Sequence, residues 1–123
     1  MAKPLTLIIE DDPHQAEVCV VTLQHAKYNT EVIPDGQLAL DRLSNTSPDL
    51  VIVDLHMPSV SGLSILEYIQ GDRRLSQTKT ILITADAEHA RRCQLRVDAI
   101  LVKPFSISEL LAIAKQLHPA TRY

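Results

Sequence analysis

Five short apolar runs, at residues 5–9, 30–33, 50–53, 80–83 and 99–102, are spaced along this chain, with helix-period segments between them. The third run constrains the fold most. Leu50, Val51, Ile52 and Val53 do not alternate apolar with polar, so a strand built from them is covered on both faces. Strands buried on both faces belong to parallel sheets. Parallel neighbours need long crossovers, and the intervening segments supply these as helices. Five strand–helix units in succession predict one α/β domain with a parallel sheet and right-handed crossovers.

The helical segments carry their own signals. After the first run, Asp12 can cap a helix, Pro13 suits its first position, and Gln15 can reach back as in a capping box. Ala16, Cys19, Val20, Leu23 and Ala26 follow on one face, and Tyr28 and Asn29 end it. Pro34, Asp35 and Gly36 form a turn before a second helix over 37–43, with Leu38, Ala39 and Leu43. A third helix spans 61–70 with Leu63, Leu66 and Ile69 on one face. A fourth, over 87–94, is weakly periodic and very polar. The fifth, over 106–117, has Ser106 or Ser108 near its cap and Leu110, Leu111, Ala114 and Leu117 facing in. Residues 118–123 read as a frayed end or the stub of a linker.

Composition narrows the function classes. At 123 residues and 46% hydrophobic, with a net charge of −3, the chain is one folded domain of ordinary size. The mildly acidic balance argues against a nucleic-acid-binding surface. One Phe, three Tyr and no Trp argue against base-stacking platforms. Cys19 and Cys93 are far apart and form no C-x-x-C pair, so both read as reduced thiols. No apolar run reaches membrane-spanning length, and MAKPLTLIIEDD lacks signal-peptide architecture, so a cytoplasmic location is expected.

Open α/β sheets form their sites beyond the carboxyl ends of the strands. Glu10, Asp11 and Asp12 follow the first run, Asp54 the third, Thr84 and Asp86 the fourth, and Lys103 and Pro104 the fifth. Glu10, Asp11 and Asp54 would crowd like charges on one rim. Two carboxylates about 4 Å apart repel by roughly 4 kcal/mol at a surface-like dielectric. Such a cluster raises a pKa, recruits a cation, or does both. Mg²⁺, a hard ion that keeps several waters and needs few protein ligands, suits the oxygens. Lys103 adds a fixed positive charge, and Thr84 offers a hydroxyl.

The pieces IIEDD, VIVDLHMP with Gly62 beyond it, LITA and LVKPF, in that order from Leu7 to Phe105, resemble the receiver domain of two-component response regulators. The resemblance implies a doubly wound, flavodoxin-like (βα)5 fold with strand order 2-1-3-4-5, filling residues 1–123 with a core of about 4–118. No output domain is expected in these residues, which would be either a single-domain regulator that works by docking or a part of a longer protein. By position, Asp54 would be the phospho-acceptor. Asp11 would bind Mg²⁺ directly (Mn²⁺ as a substitute), Glu10 mostly through a metal-bound water, and the backbone carbonyl of His56 would be a further ligand beside Asp54. Thr84 would hold the phosphoryl group and move toward it, and Lys103 would pair first with Asp54 and then with phosphoryl oxygens. The Lys103–Pro104 bond would be cis. His56 and Asp86 would tune the lifetime of the phosphoryl group. The implied partners are a histidine kinase or histidine phosphotransfer protein, an unspecified downstream effector and, at most, a weak homodimer, with no direct nucleic acid and no membrane. Transfer and hydrolysis would be self-catalysed, so the chain is not expected to be an enzyme in the ordinary sense.

Other readings stand beside these. Asp12, Asp35 and Asp49 read as helix caps or turn formers. His56 reads as a loop side chain at the pocket mouth. His14, His25, His89 and His118 have no ligand spacing with one another. Arg91 and Arg92 read as a solvated helix face. An aspartyl-phosphate phosphatase would want a second Asp two residues after the nucleophile, where His56 stands. A receiver-like binding module that works without phosphorylation is opposed by the complete set Glu10, Asp11, Asp54, Thr84 and Lys103. Neither nucleotide-binding glycine loop is present.

Two departures from the family pattern stand out. Ile100 occupies the position three before the lysine where many receivers carry Tyr or Phe. It has no ring to swing, and its β-branching stiffens it. The segment from Thr84 to Lys103 is a few residues shorter than usual, which predicts a short, displaced or partly irregular fourth helix. The face formed by the fourth helix, fifth strand and fifth helix is therefore expected to be used differently from the common mode.

Overall fold

The computed structural model describes residues 2–93 and 96–122. Strands β1 (Leu5–Ile9), β2 (Asn29–Ile33), β3 (Leu50–Asp54), β4 (Lys79–Thr84) and β5 (Ala99–Val102) alternate with helices α1 (Pro13–His25), α2 (Gly36–Leu43), α3 (Gly62–Gly71), α4 (Ala87–Arg92) and α5 (Ile107–Gln116). Short 3₁₀ turns span Arg73–Leu75 and Pro119–Arg122. The strands form one sheet in the order β2-β1-β3-β4-β5, and every pairing is parallel.

Side-chain parity explains the unbroken apolar runs. Leu7, Ile9, Val51, Val53 and Leu82 point to one face and pack with Ala39, Leu43, Ile65, Leu66 and Ile69. Ile8, Leu50, Ile52, Ile81, Ile83 and Leu101 point to the other and pack with Cys19, Leu23, Leu110 and Ala114. Both faces are dry, so neighbouring residues on a strand are equally apolar.

Register places the strand ends. Ile9 pairs with Val53, so Glu10 and Asp54 emerge next to each other. Thr84 pairs with Val102, and the Lys103 amide donates to the Thr84 carbonyl at 2.9 Å. Among the described residues no helix is long and apolar enough to cross a membrane.

Capping follows the sequence closely. Asp12 accepts from the His14 amide at 3.0 Å and Asp35 from the Leu38 amide at 3.0 Å. Ser106, rather than Ser108, caps α5 in a reciprocal capping box with Glu109. Asp49 departs from the expected cap or turn: its carboxylate accepts from the distant Leu5 amide at 2.9 Å and so anchors the start of β1.

Several expectations need correction. Gln15 does not reach back to a cap amide; its amide donates to the Glu10 carboxylate. Helix α1 ends at His25, before Tyr28, because Lys27 turns the chain at φ 71. Val20 is partly buried against the core, and Thr22 is buried on the same helix, its hydroxyl satisfied by the Val18 carbonyl at 2.7 Å. Leu38 is exposed, while Ala39 and Leu43 carry the burial of α2. At the start of the tail the His118 ring packs on Tyr28, centroids 4.9 Å apart, and Pro119–Arg122 forms a turn. Helix α4 is short, as expected, and the expected end at residue 94 lies outside the described residues.

Candidate phospho-acceptor site

Asp54 is the last residue of β3 and is only 3% exposed. Its two oxygens have different partners. Oδ2 lies 2.7 Å from Lys103 Nζ, and Oδ1 accepts from the His56 amide at 2.9 Å. The strand holds Asp54 rigidly, and the chain leaves it at once because Gly62 lies directly on the Asp54 carbonyl, where a Cβ would collide.

Glu10 is buried beside it. One oxygen accepts from the Asp12 amide at 3.1 Å and the other from Gln15 Nε2. Burial pushes the Glu10 carboxyl up to about 7, the Asp54 charge adds to the rise, and the Asp12 amide and Gln15 oppose it. Asp11 is exposed at the same rim. Ligand oxygens of Glu10, Asp11 and Asp54 all lie within 4.8 Å of one another. Three carboxylates so placed fit a hard divalent cation.

For Lys103, burial disfavours the ammonium, but the hydrogen bond and charge of Asp54, with Glu10 and Asp11 behind it, outweigh burial and raise its pKa. Thr84 ends β4 fully buried, and its Oγ1 accepts from the Asp86 amide at 3.0 Å. Asp86 caps α4 through the His89 amide at 2.9 Å. That bond is the main reason its carboxyl is held below the usual range. The His56 side chain is exposed at the mouth. The Lys103–Pro104 peptide is cis. Ile100 is partly buried on β5, opposite Leu82 of β4.

The fold thus brings together Glu10, Asp11, Asp54 and Lys103, with Thr84 at the neighbouring strand end. Gln15 is the residue whose part the sequence did not reveal. Its spacing from Asp12 signalled a cap, yet the buried carboxylate of Glu10 is the stronger acceptor. Cys19 is remote in role: it is buried, and its thiol is pushed up to about 12 by that burial.

The fold and site together define a parallel doubly wound α/β domain with an acidic, lysine-bearing pocket over the carboxyl ends of β1, β3 and β5. The chain belongs to the response regulator receiver domain family, which it matches over residues 6–115. It is 38% identical over 109 residues to the response regulator ArlR of Staphylococcus aureus, covering 86% of this chain and 48% of that protein. The chain therefore spans about half the length of the ArlR relatives. Among solved structures, it is similar to the signal receiver domain of a histidine kinase from Syntrophus aciditrophicus, with a TM-score of 0.84 and 32% identity over 93% of this chain and 89% of that one. It is likewise similar to the receiver domain of the sensor histidine kinase PA1611 from Pseudomonas aeruginosa, whose structure has a magnesium ion in the active-site cleft. There the TM-score is 0.84 and the identity 25%, over 94% of this chain and 98% of that one.

Proposed function

We propose that the chain accepts a phosphoryl group on Asp54 from a phosphohistidine of a histidine kinase or phosphotransfer protein, in a Mg²⁺-dependent reaction that its own pocket promotes. One observation carries this reading: a carboxylate 3% exposed at a strand end, 2.7 Å from a lysine ammonium and grouped with two further acids. Glu10, Asp11, Asp54 and the His56 backbone carbonyl would hold the cation, with Mn²⁺ as a substitute. When bound, the cation neutralises negative charge on the phosphoryl oxygens. The magnesium in the Pseudomonas relative supports that assignment by likeness.

The chain's own residues do the rest. A carboxylate oxygen of Asp54 forms the new bond to phosphorus while the phosphorus–nitrogen bond breaks, and the imidazole leaves with the electron pair and takes up a proton. Lys103 sits where it can follow the charge from the carboxylate to the transferred group. Thr84 gives up its bond from the Asp86 amide and donates to a phosphoryl oxygen. That exchange biases a surface that a downstream effector reads. Because the phosphoryl group is received and later lost on the same chain, this is switch chemistry rather than turnover of a substrate. Borohydride reduction of the phosphorylated chain followed by peptide mapping tests the assignment. Conversion at position 54 alone is expected, and conversion at another acid would overturn it.

A further inference from the structure

The loop joining β3 to α3, residues 55–61, carries His56 over the pocket and is fastened from outside. Ser59 takes a left-handed backbone, φ 63, and its hydroxyl donates to Asp35 Oδ1 at 2.7 Å. Asp35 sits at the N-terminus of α2, and its other oxygen caps the Leu38 amide at 3.0 Å. The next residue, Gly36, lies so close to the Val60 carbonyl that a Cβ there would collide with it. The far side of the loop closes through Gly62, whose amide donates to the Leu55 carbonyl at 3.1 Å. The near side is tied to the site itself by the bond from the His56 amide to Asp54. A non-glycine residue in the left-handed region has a conformational cost and persists only where its surroundings hold it.

We infer that Asp35 and Ser59 are a positioning pair: from the start of α2 they fix the β3–α3 loop, and with it the His56 backbone, over the acidic pocket. The inference rests on the reading in which that pocket holds a divalent cation. Neither residue touches the reacting atoms. Their part is to spare the cation the cost of ordering the loop when it binds. The Ser59 hydroxyl first, and the Leu38 amide after it, hold the Asp35 carboxyl below its usual range.

Two variants at one position separate the hydrogen bond from the backbone. Ser59→Gly accepts φ 63 without strain and removes the hydroxyl, so the fold is retained while the latch is lost. Ser59→Asn also tolerates that backbone and keeps a donor for Asp35. The readouts are Mg²⁺ affinity by calorimetry and amide hydrogen exchange across residues 55–61. Ser59→Gly is expected to weaken Mg²⁺ about tenfold, the low end for outer partners of metal ligands, and to speed exchange in the loop alone. Ser59→Asn is expected to restore both. Unchanged Mg²⁺ affinity in Ser59→Gly would overturn the inference. If the wild-type chain bound no Mg²⁺, the functional reading would fail, and unaltered loop exchange in Ser59→Gly would then refute the latch by itself.

Discussion

Folding changes the Glu10 carboxyl strongly, and its behaviour follows from where β1 ends. Held at about 7 rather than near its ordinary 4.5, it keeps its proton in the folded chain over a range where the unfolded chain has lost it. The folded state thus binds more protons between these values. Glu10's contribution to metal-free stability is full below 4.5 and is lost as pH rises through about 7. A cation that needs the carboxylate must displace that proton. Mg²⁺ affinity should therefore weaken about tenfold for each pH unit below 7 and level off above it. Calorimetry at several pH values checks this, and a flat profile would separate Glu10 from the metal. The acids, Thr84 and Lys103 were legible in the sequence because each stands within two residues of the end of an apolar run. Gln15 and Ser59 were not, since one depends on a neighbouring carboxylate and the other on a left-handed turn in the plain stretch PSVSG.

At the scale of elements, caps and turns do much of the placing. Asp12, Asp35, Asp86 and Ser106 each start a helix that leaves a strand end, so the site loops are short and their directions set. The close approach at Gly62 has a sharper consequence. Gly62→Ala drives a methyl into the backbone of Asp54 and Leu55, which cannot yield as a side chain would. It should cost about 1–3 kcal/mol, the range for overpacking, seen as a lower urea midpoint with an unchanged slope. A midpoint equal to wild type would mean that the loop moves freely. Strand and helix identities were readable from apolar runs and helical spacing. Ends were less so: the early stop of α1 depends on Lys27 entering a left-handed conformation, which no residue type there announces.

Across the whole molecule, the sheet order and double-sided core leave β5 at an edge beside the six-residue α4. The parallel fold was legible because both faces of β3 had to be dry; the Tyr28–His118 contact was not, because it depends on two rings meeting across the chain. From the six-residue α4 and the partly buried Ile100 we predict that the face made by α4, β5 and α5 does not form a tight dimer. Solution size with and without a phosphoryl mimic should show no tight dimer through that face; a mimic-induced dimer abolished by substitution at exposed Val102 would contradict this. The central claim, that folding assembles a metal-dependent phospho-acceptor at Asp54, is tested most directly by intact mass after incubation with a small phosphodonor, with and without Mg²⁺, for wild type and Asp54→Asn. One added phosphoryl group that requires Mg²⁺ and is lost in the variant is the predicted result. Equal phosphorylation of wild type and Asp54→Asn, or phosphorylation indifferent to the metal, would contradict it.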